Sequence, residues 1–263
     1  MVHSLAFVSG KGGVGKTSLA VNSAIRMAQN GLKVAILDAD FGLSNANIMM
    51  NVKADKTISD VLAGTSEMEE VIYDPYPGVK LIPGGSGTLN SLNLDTEERW
   101  KIIRSLDFLE ADLDYLIVDA PAGASNSSIE FASAVGQVVI TLVGEPTSFM
   151  DAYAFLKALH QEKGVNKFSV IVNMAQNEVS AVKDFESFKG IVKRFLAVEI
   201  EMIGWMPGSP EVVKSIIARK PFALGEQRQK QLSRCLDNIV KSIQASEPEI
   251  RSGIHFFSTS QGS

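Results

Sequence analysis

Ser9-Gly10-Lys11-Gly12-Gly13-Val14-Gly15-Lys16-Thr17 is the stretch that decides the fold of this chain. From Gly10 it satisfies G-x-x-x-x-G-K-[ST], and it stands between an apolar run, Ser4–Ser9, and a segment of helical period, Lys16–Asn30. Strand, glycine-rich turn and helix in that order make a Walker A phosphate cradle. Glycines let the backbone wrap the β-phosphate with several N–H groups pointing inward, and the helix that starts near Lys16 adds its positive end. Gly10, Lys11, Gly12, Gly13, Val14, Gly15, Lys16, Thr17 and Ser18 are therefore the expected ATP contacts. Lys16 is expected on the β- and γ-phosphates and the Thr17 hydroxyl on Mg²⁺. A glycine turn that bound no nucleotide would have no use for that lysine and threonine.

Working outward, short apolar runs alternate with longer helical segments, the rhythm of a parallel sheet covered on both faces. The expected strands are Ser4–Ser9, Lys33–Asp38, Val79–Pro83, Leu113–Asp119, Val138–Val143, Phe168–Asn173 and Ile200–Gly204. The expected helices are Lys16–Asn30, Thr96–Glu110, Ser148–Lys163, Val179–Phe195, Pro210–Ala218 and Glu226–Ala245. Asn, Ser and Gly dominate Asp40–Val71 and Gly84–Asp95, where short helices and loops near the ligand are expected. The fold class is α/β: a mostly parallel twisted sheet with helices on both faces, a P-loop NTPase.

Two further acidic sites complete the phosphate chemistry. Asp38-Ala39-Asp40 ends the second strand at the carboxyl edge of the sheet, where ligands bind in open α/β folds. If the strand persists, alternation puts Asp38 and Asp40 on one side; one would hold the metal's water shell and the other, Asp40, would orient the attacking water. The plainer reading is a pair of surface acids capping the next helix. Leu116-Ile117-Val118-Asp119 ends in an acid that fits a Walker B element, with Asp119 reaching Mg²⁺ through water. Gly123, lacking a Cβ, is the expected γ-phosphate sensor through its N–H.

Composition sets the outer bounds. The 263 residues fit one large domain, 1–246, followed by a tail, 247–263, where Pro248, Gly253 and the polar run Ser258–Ser263 suggest a chain end that leaves the core. No run approaches the roughly 20 apolar residues of a membrane span, and Met1–Val8 lacks the flanks of a signal peptide; a cytoplasmic location is expected. Cys235, the single cysteine, excludes an internal disulfide and a cysteine-bound metal cluster. The formal charge of −5 argues against broad attraction to nucleic acid, and Lys189, Lys193 and Arg194 read as a solvated helix face.

Lys11 is more than a plain Walker A requires. The form K-G-G-x-G-K-T, Lys11 to Thr17, resembles the deviant Walker A of the ParA/MinD class of ATPases, in which this lysine reaches the partner subunit's phosphates across an ATP-sandwich dimer. Asp38-Ala39-Asp40 with Gly42-Leu43 and Asn45 looks like the switch I signature of that class, and Asp119-Ala120-Pro121-Ala122-Gly123 looks like switch II. The segment Glu145-Pro146-Thr147-Ser148-Phe149-Met150-Asp151-Ala152-Tyr153-Ala154-Phe155-Leu156-Lys157 is similar to one characteristic of the flagellar number regulators, the FlhG/FleN family, and Asn173-Met174-Ala175 fits them too. The resemblance covers roughly Leu5 to Phe257. It implies catalytic roles for Asp40, Lys11 and Lys16, an adenine contact from Asn173 and a purine contact near Pro207. It also implies Mg²⁺ held by Thr17, with Asp38 and Asp119 acting through water.

Family partners include a flagellar transcriptional activator and a flagellar signal-recognition-type GTPase. Three places depart from that family. Asp119-Ala-Pro-Ala-Gly is closer to the cell-division MinD version, and Pro207-Gly208-Ser209-Pro210-Glu211 stands where Pro-Tyr-Asp is usual. The loop begins nine residues from Met1, so the short N-terminal motif that stimulates the partner GTPase is not expected. Ile250-Arg251-Ser252-Gly253-Ile254-His255-Phe256-Phe257 is a poor membrane helix, interrupted by Gly253 and carrying one basic residue; a tail folding back or fraying is preferred to membrane or cell-pole docking. The expected function is a slow regulatory ATPase, a nucleotide-switched homodimer setting flagellar number or placement. The alternative is a MinD-like division-site or ParA-like cargo-positioning ATPase.

Overall fold

The computed structural model describes residues 2–42, 44–85, 94–225, 230–249 and 253–257. Leu43 of the switch I segment, most of Gly84–Asp95, the start of the Glu226–Ala245 helix and the parts 250–252 and 258–263 of the tail lie outside the described residues.

The first strand, β1 (His3–Val8), leads through the glycine turn into α1 (Lys16–Gln29) and on to β2 (Val34–Asp38). Two short helices, α2 (Ala46–Met49) and α3 (Ile58–Leu62), precede β3 (Tyr73–Tyr76) and β4 (Val79–Ile82). Then come α4 (Thr96–Ser105), β5 (Tyr115–Asp119), α5 (Asn126–Ser133) and β6 (Gln137–Val143). The chain continues through α6 (Pro146–Lys163), β7 (Lys167–Ala175), α7 (Glu178–Phe195) and β8 (Glu199–Pro207), and ends in α8 (Pro210–Ile217) and α9 (Lys230–Ala245). The described strands form one sheet in the order β3-β4-β2-β5-β1-β6-β7-β8, parallel except for the antiparallel β3–β4 pair. The mostly parallel α/β architecture read from the sequence is the one observed.

Strand residues alternate between two apolar layers because successive side chains point to opposite faces. Leu5, Phe7, Ile36 and Ile117 pack with α1 and α9, whereas Ala6, Val8, Leu37 and Val118 pack toward α4 to α7. Burial on both faces is why these strands read as unbroken apolar runs. The lone Cys235 sits in the first layer on α9, and burial pushes its thiol above the ordinary range.

Where the structure differs from the sequence reading, local chemistry explains it. β3 was not expected because Pro75 removes a ladder donor; Pro is tolerated there because the strand lies at the sheet edge. Helix α5 opens on Asn126-Ser127-Ser128 and has too short an apolar set to show a period; the Ser125 side chain caps it by accepting from the Ser128 N–H. The expected helix Thr96–Glu110 stops at Ser105 and continues as a 3₁₀ turn, Asp107–Asp112. Strands β7 and β8 run further at both ends than their apolar stretches suggested.

The described part of the tail packs onto the body. The Glu249 N–H donates to the Gly136 carbonyl at 2.7 Å and the Phe256 N–H to the Ala134 carbonyl at 3.0 Å. Phe256 and Phe257 are buried in the layer that holds α5 and α6. Truncating a buried phenylalanine removes its transfer free energy and leaves a void. Phe256→Ala should therefore lower stability by about 3 kcal/mol in urea titration; a change indistinguishable from zero would show the tail unattached in solution.

Candidate functional site

The phosphate loop joins β1 to α1 with the backbone geometry its glycines permit. Gly15 has φ 86°, the left-handed region, at the N-cap of α1, and a Cβ there would collide with the Asn173 amide. A Cβ on Gly10 would strike the backbone of Asp151 and Ala152, so the loop lies directly against α6. Gly12 and Gly13 face solvent, Thr17 is half-buried, and Lys16 and Ser18 are buried.

At the carboxyl ends of β2 and β5, Asp38 and Asp119 are register partners. Both are buried, and the Lys16 ammonium donates to the Asp119 Oδ1. Two carboxylates thus share one ammonium away from water. Burial, and next the Asp119 charge, raise the Asp38 pKa from 3.8 to about 6, against the lowering effect of its own hydrogen bonds and Lys16. Those bonds come from switch I: the Asp40 N–H at 3.1 Å to Oδ1, and the Ser44 hydroxyl at 2.7 Å with the Asn45 and Ala46 N–H groups at 2.9 and 3.0 Å to Oδ2. Asp38 therefore does cap the next helix, α2, but from a fully buried position. Asp40 is half-buried just beyond it.

Lys11 is engaged by the start of α6. Its ammonium is 2.6 Å from the Glu145 Oε2 and 3.4 Å from the Thr147 hydroxyl, at the start of α6, and its side chain is 31% exposed. The Gly123 N–H, read from sequence as a phosphate sensor, donates to the Ser9 carbonyl at 2.9 Å and so ties switch II to the loop.

On the other side of the loop, the Asn173 amide donates to the Val14 carbonyl at 2.7 Å, leaving its side-chain oxygen for another donor. Beside it opens an apolar cavity of about 600 Å³ lined by Met174, Met206, Pro207, Val213 and Phe222. Met174 holds φ 57°, a strained conformation for a side chain of that size. The structure thus brings Lys16, Asp38, Asp119 and Asp40 together, places Asn173 and Pro207 on one side, and leaves Lys11 at the surface. Sequence reasoning missed the roles of Glu145, Ser44 and the apolar wall. Glu145 lay in a segment singled out for resemblance alone; Ser44 and Phe222 carry no local pattern that would mark them.

These features have counterparts among known proteins. The family described as AAA domain matches residues 2–177. The chain is 34% identical over 215 residues to the antiactivator FleN of Pseudomonas aeruginosa, covering 82% of this chain and 77% of that protein. It is 31% identical over 226 residues to the flagellum site-determining protein YlxH of Helicobacter pylori, covering 82% and 73%. Among solved structures, the MinC:MinD cell division complex of Aquifex aeolicus matches with a TM-score of 0.77 at 25% identity, over 95% of this chain and 99% of that one. The cell division ATPase MinD of Pyrococcus furiosus matches with a TM-score of 0.76 at 19% identity, over 93% and 99%, a likeness of fold.

The buried acid gives a pH test. The folded protein holds the Asp38 proton more tightly than the unfolded chain does, so its contribution to stability is largest below pH 3.8 and is lost as the pH rises to about 6. In nucleotide-free protein, wild type should lose on the order of 3 kcal/mol relative to Asp38→Asn across that window. Urea midpoints for both proteins at several pH values read this directly; parallel curves would mean the carboxyl is not desolvated.

Proposed function

The chain belongs to the ParA/MinD class of P-loop ATPases, close to its flagellar FlhG/FleN members, and we propose that it is an ATP-driven dimerisation switch that sets flagellar number or placement through partner proteins. The observation that carries this reading is the division of labour between two lysines. Lys16 is buried within its own site on Asp119, whereas Lys11 is held at the surface by Glu145, in reach of another molecule.

In this reading the loop N–H groups and Lys16 grip the triphosphate, and Lys16 exchanges Asp119 for the phosphate oxygens. Thr17 offers a hydroxyl and Asp38 and Asp119 two carboxylates, an all-oxygen set suited to a hard cation. Among the described residues no cluster of three or more His, Cys, Asp or Glu forms a full protein cage, which fits Mg²⁺ held largely through water and phosphate. When bound, the ion neutralises charge on the phosphate oxygens. Asp40 orients the attacking water, and Lys11 of the second subunit stabilises charge on the transferring group. Asn173 and the apolar cavity take the adenine. Turnover is slow without a partner, because a switch needs a persistent ATP state.

The antiactivator role of the related FleN supports a transcriptional activator as one partner; a flagellar signal-recognition-type GTPase is a second. No described helix is long and apolar enough to cross a membrane, and Phe256 and Phe257 of the tail are buried in the body.

Mixing variants tests the reading. Lys16→Ala should abolish ATP binding, whereas Lys11→Ala should bind ATP but neither dimerise nor turn over. Asp40→Ala should bind ATP, hydrolyse it poorly and accumulate as dimer in size-exclusion chromatography. Adding Asp40→Ala protein to Lys11→Ala protein should restore hydrolysis, since mixed dimers contain one site with its own Asp40 and the partner's Lys11. Phosphate release measured alongside cross-linking decides it: mixed dimers with no recovered turnover would place Lys11 in cis.

A further inference from the structure

We propose that the Ser44 hydroxyl is a positioning group for hydrolysis: by donating to Asp38 it fixes the fold of switch I and, through Asp38, the place of Asp40. The inference rests on the ATPase reading above and concerns the same site.

The Asp38 carboxylate is wholly buried, and among the described residues its four donors all come from residues 40–46 of the same segment. Three are backbone N–H groups, which reach the carboxylate only while the chain turns as it does here. The fourth is the Ser44 hydroxyl at 2.7 Å, and it is the one that a substitution can remove without touching the main chain. Ser44 is itself 8% exposed, so water has little access to replace the lost donor. A buried carboxylate deprived of a donor carries an uncompensated desolvation cost. The Asn47 side-chain oxygen lies 3.4 Å from the same hydroxyl, a longer and neutral acceptor, so the proton belongs to Asp38.

Helix α2 makes the arrangement consequential. It is four residues long, and its N-cap residue, Asn45, makes no side-chain cap. A single turn does not hold itself together in water. The N–H groups that open α2 depend on Asp38 instead, and the other oxygen of the same carboxylate takes the Asp40 N–H. A shift of that carboxylate therefore moves both ends of switch I, including the carboxylate expected to orient water. Ser44 acts here through Asp38 and is not placed against nucleotide.

Ser44→Ala should lower kcat at saturating Mg-ATP by about tenfold, the scale of a small misplacement at a reacting centre, while KM for ATP stays within about twofold. Ser44→Thr, which keeps the hydroxyl, should recover most of the loss. In nucleotide-free protein, hydrogen exchange of the Asp40, Asn45 and Ala46 amides should be faster in Ser44→Ala, with the β1 and β5 amides unchanged. Wild-type kcat in Ser44→Ala, or no rescue by a folded Ser44→Thr, would overturn the inference. If wild type itself hydrolyses no ATP, the function proposed above fails, and the exchange arm still decides Ser44: unchanged amide protection in switch I would refute its role.

Discussion

The contact between Lys16 and Asp119, with Asp38 at its side, is the constraint around which the rest of the molecule is arranged. Three ionisable groups of net charge −1 lie where water is largely excluded, an arrangement that a fold sustains only with dense hydrogen bonding. Each group is delivered by a different element: Lys16 by the first turn of α1, Asp38 by the end of β2 and Asp119 by the end of β5. The strand order puts β5 between β2 and β1, so adjacent strand ends meet there without any long loop. Burial, and next the neighbouring Asp119 charge, raise the Asp38 pKa, and the excess negative charge favours a cation here.

From this centre the surrounding segments are held by short, directional contacts. Switch I folds onto the Asp38 carboxylate, switch II is tied to the loop by Gly123 and Ser9, and Asn173 braces the loop from β7. Helix α6 touches the loop at Gly10 and engages Lys11 through Glu145. Each of these contacts borders the phosphate loop or the segments packed against it, so a ligand seated on the loop would meet them first.

The phosphate loop and the parallel sheet were legible because their signals are local: a nine-residue motif, and apolar runs that stay apolar on both faces. Asp38 and Asp119 stood out as acids that end apolar strands, and the structure brings them together as register partners, Asp38 also capping the next helix. Ser44 and Glu145 were not read as site residues, since their importance depends on partners 6 and 134 positions away that only folding brings near. The same holds for the apolar wall, where Phe222 arrives from a turn beyond α8 to join Met174 at the end of β7. Helix α5 and strand β3 were lost for a different reason: a serine-rich opening and a proline contradict the local preference that tertiary packing overrides.

The close approach of Gly15 to the Asn173 amide has a consequence for descent. No larger residue fits at position 15 while Asn173 occupies its place, and Asn173 cannot retreat without releasing Val14. Position 15 is therefore held twice, by its positive φ and by the Asn173 amide, whereas a smaller residue at 173 would leave Gly15 in place. Among homologues that keep this geometry Gly15 should therefore be the more invariant of the two, and a lineage that loses the asparagine marks the branch where the grip on the phosphate loop was rebuilt.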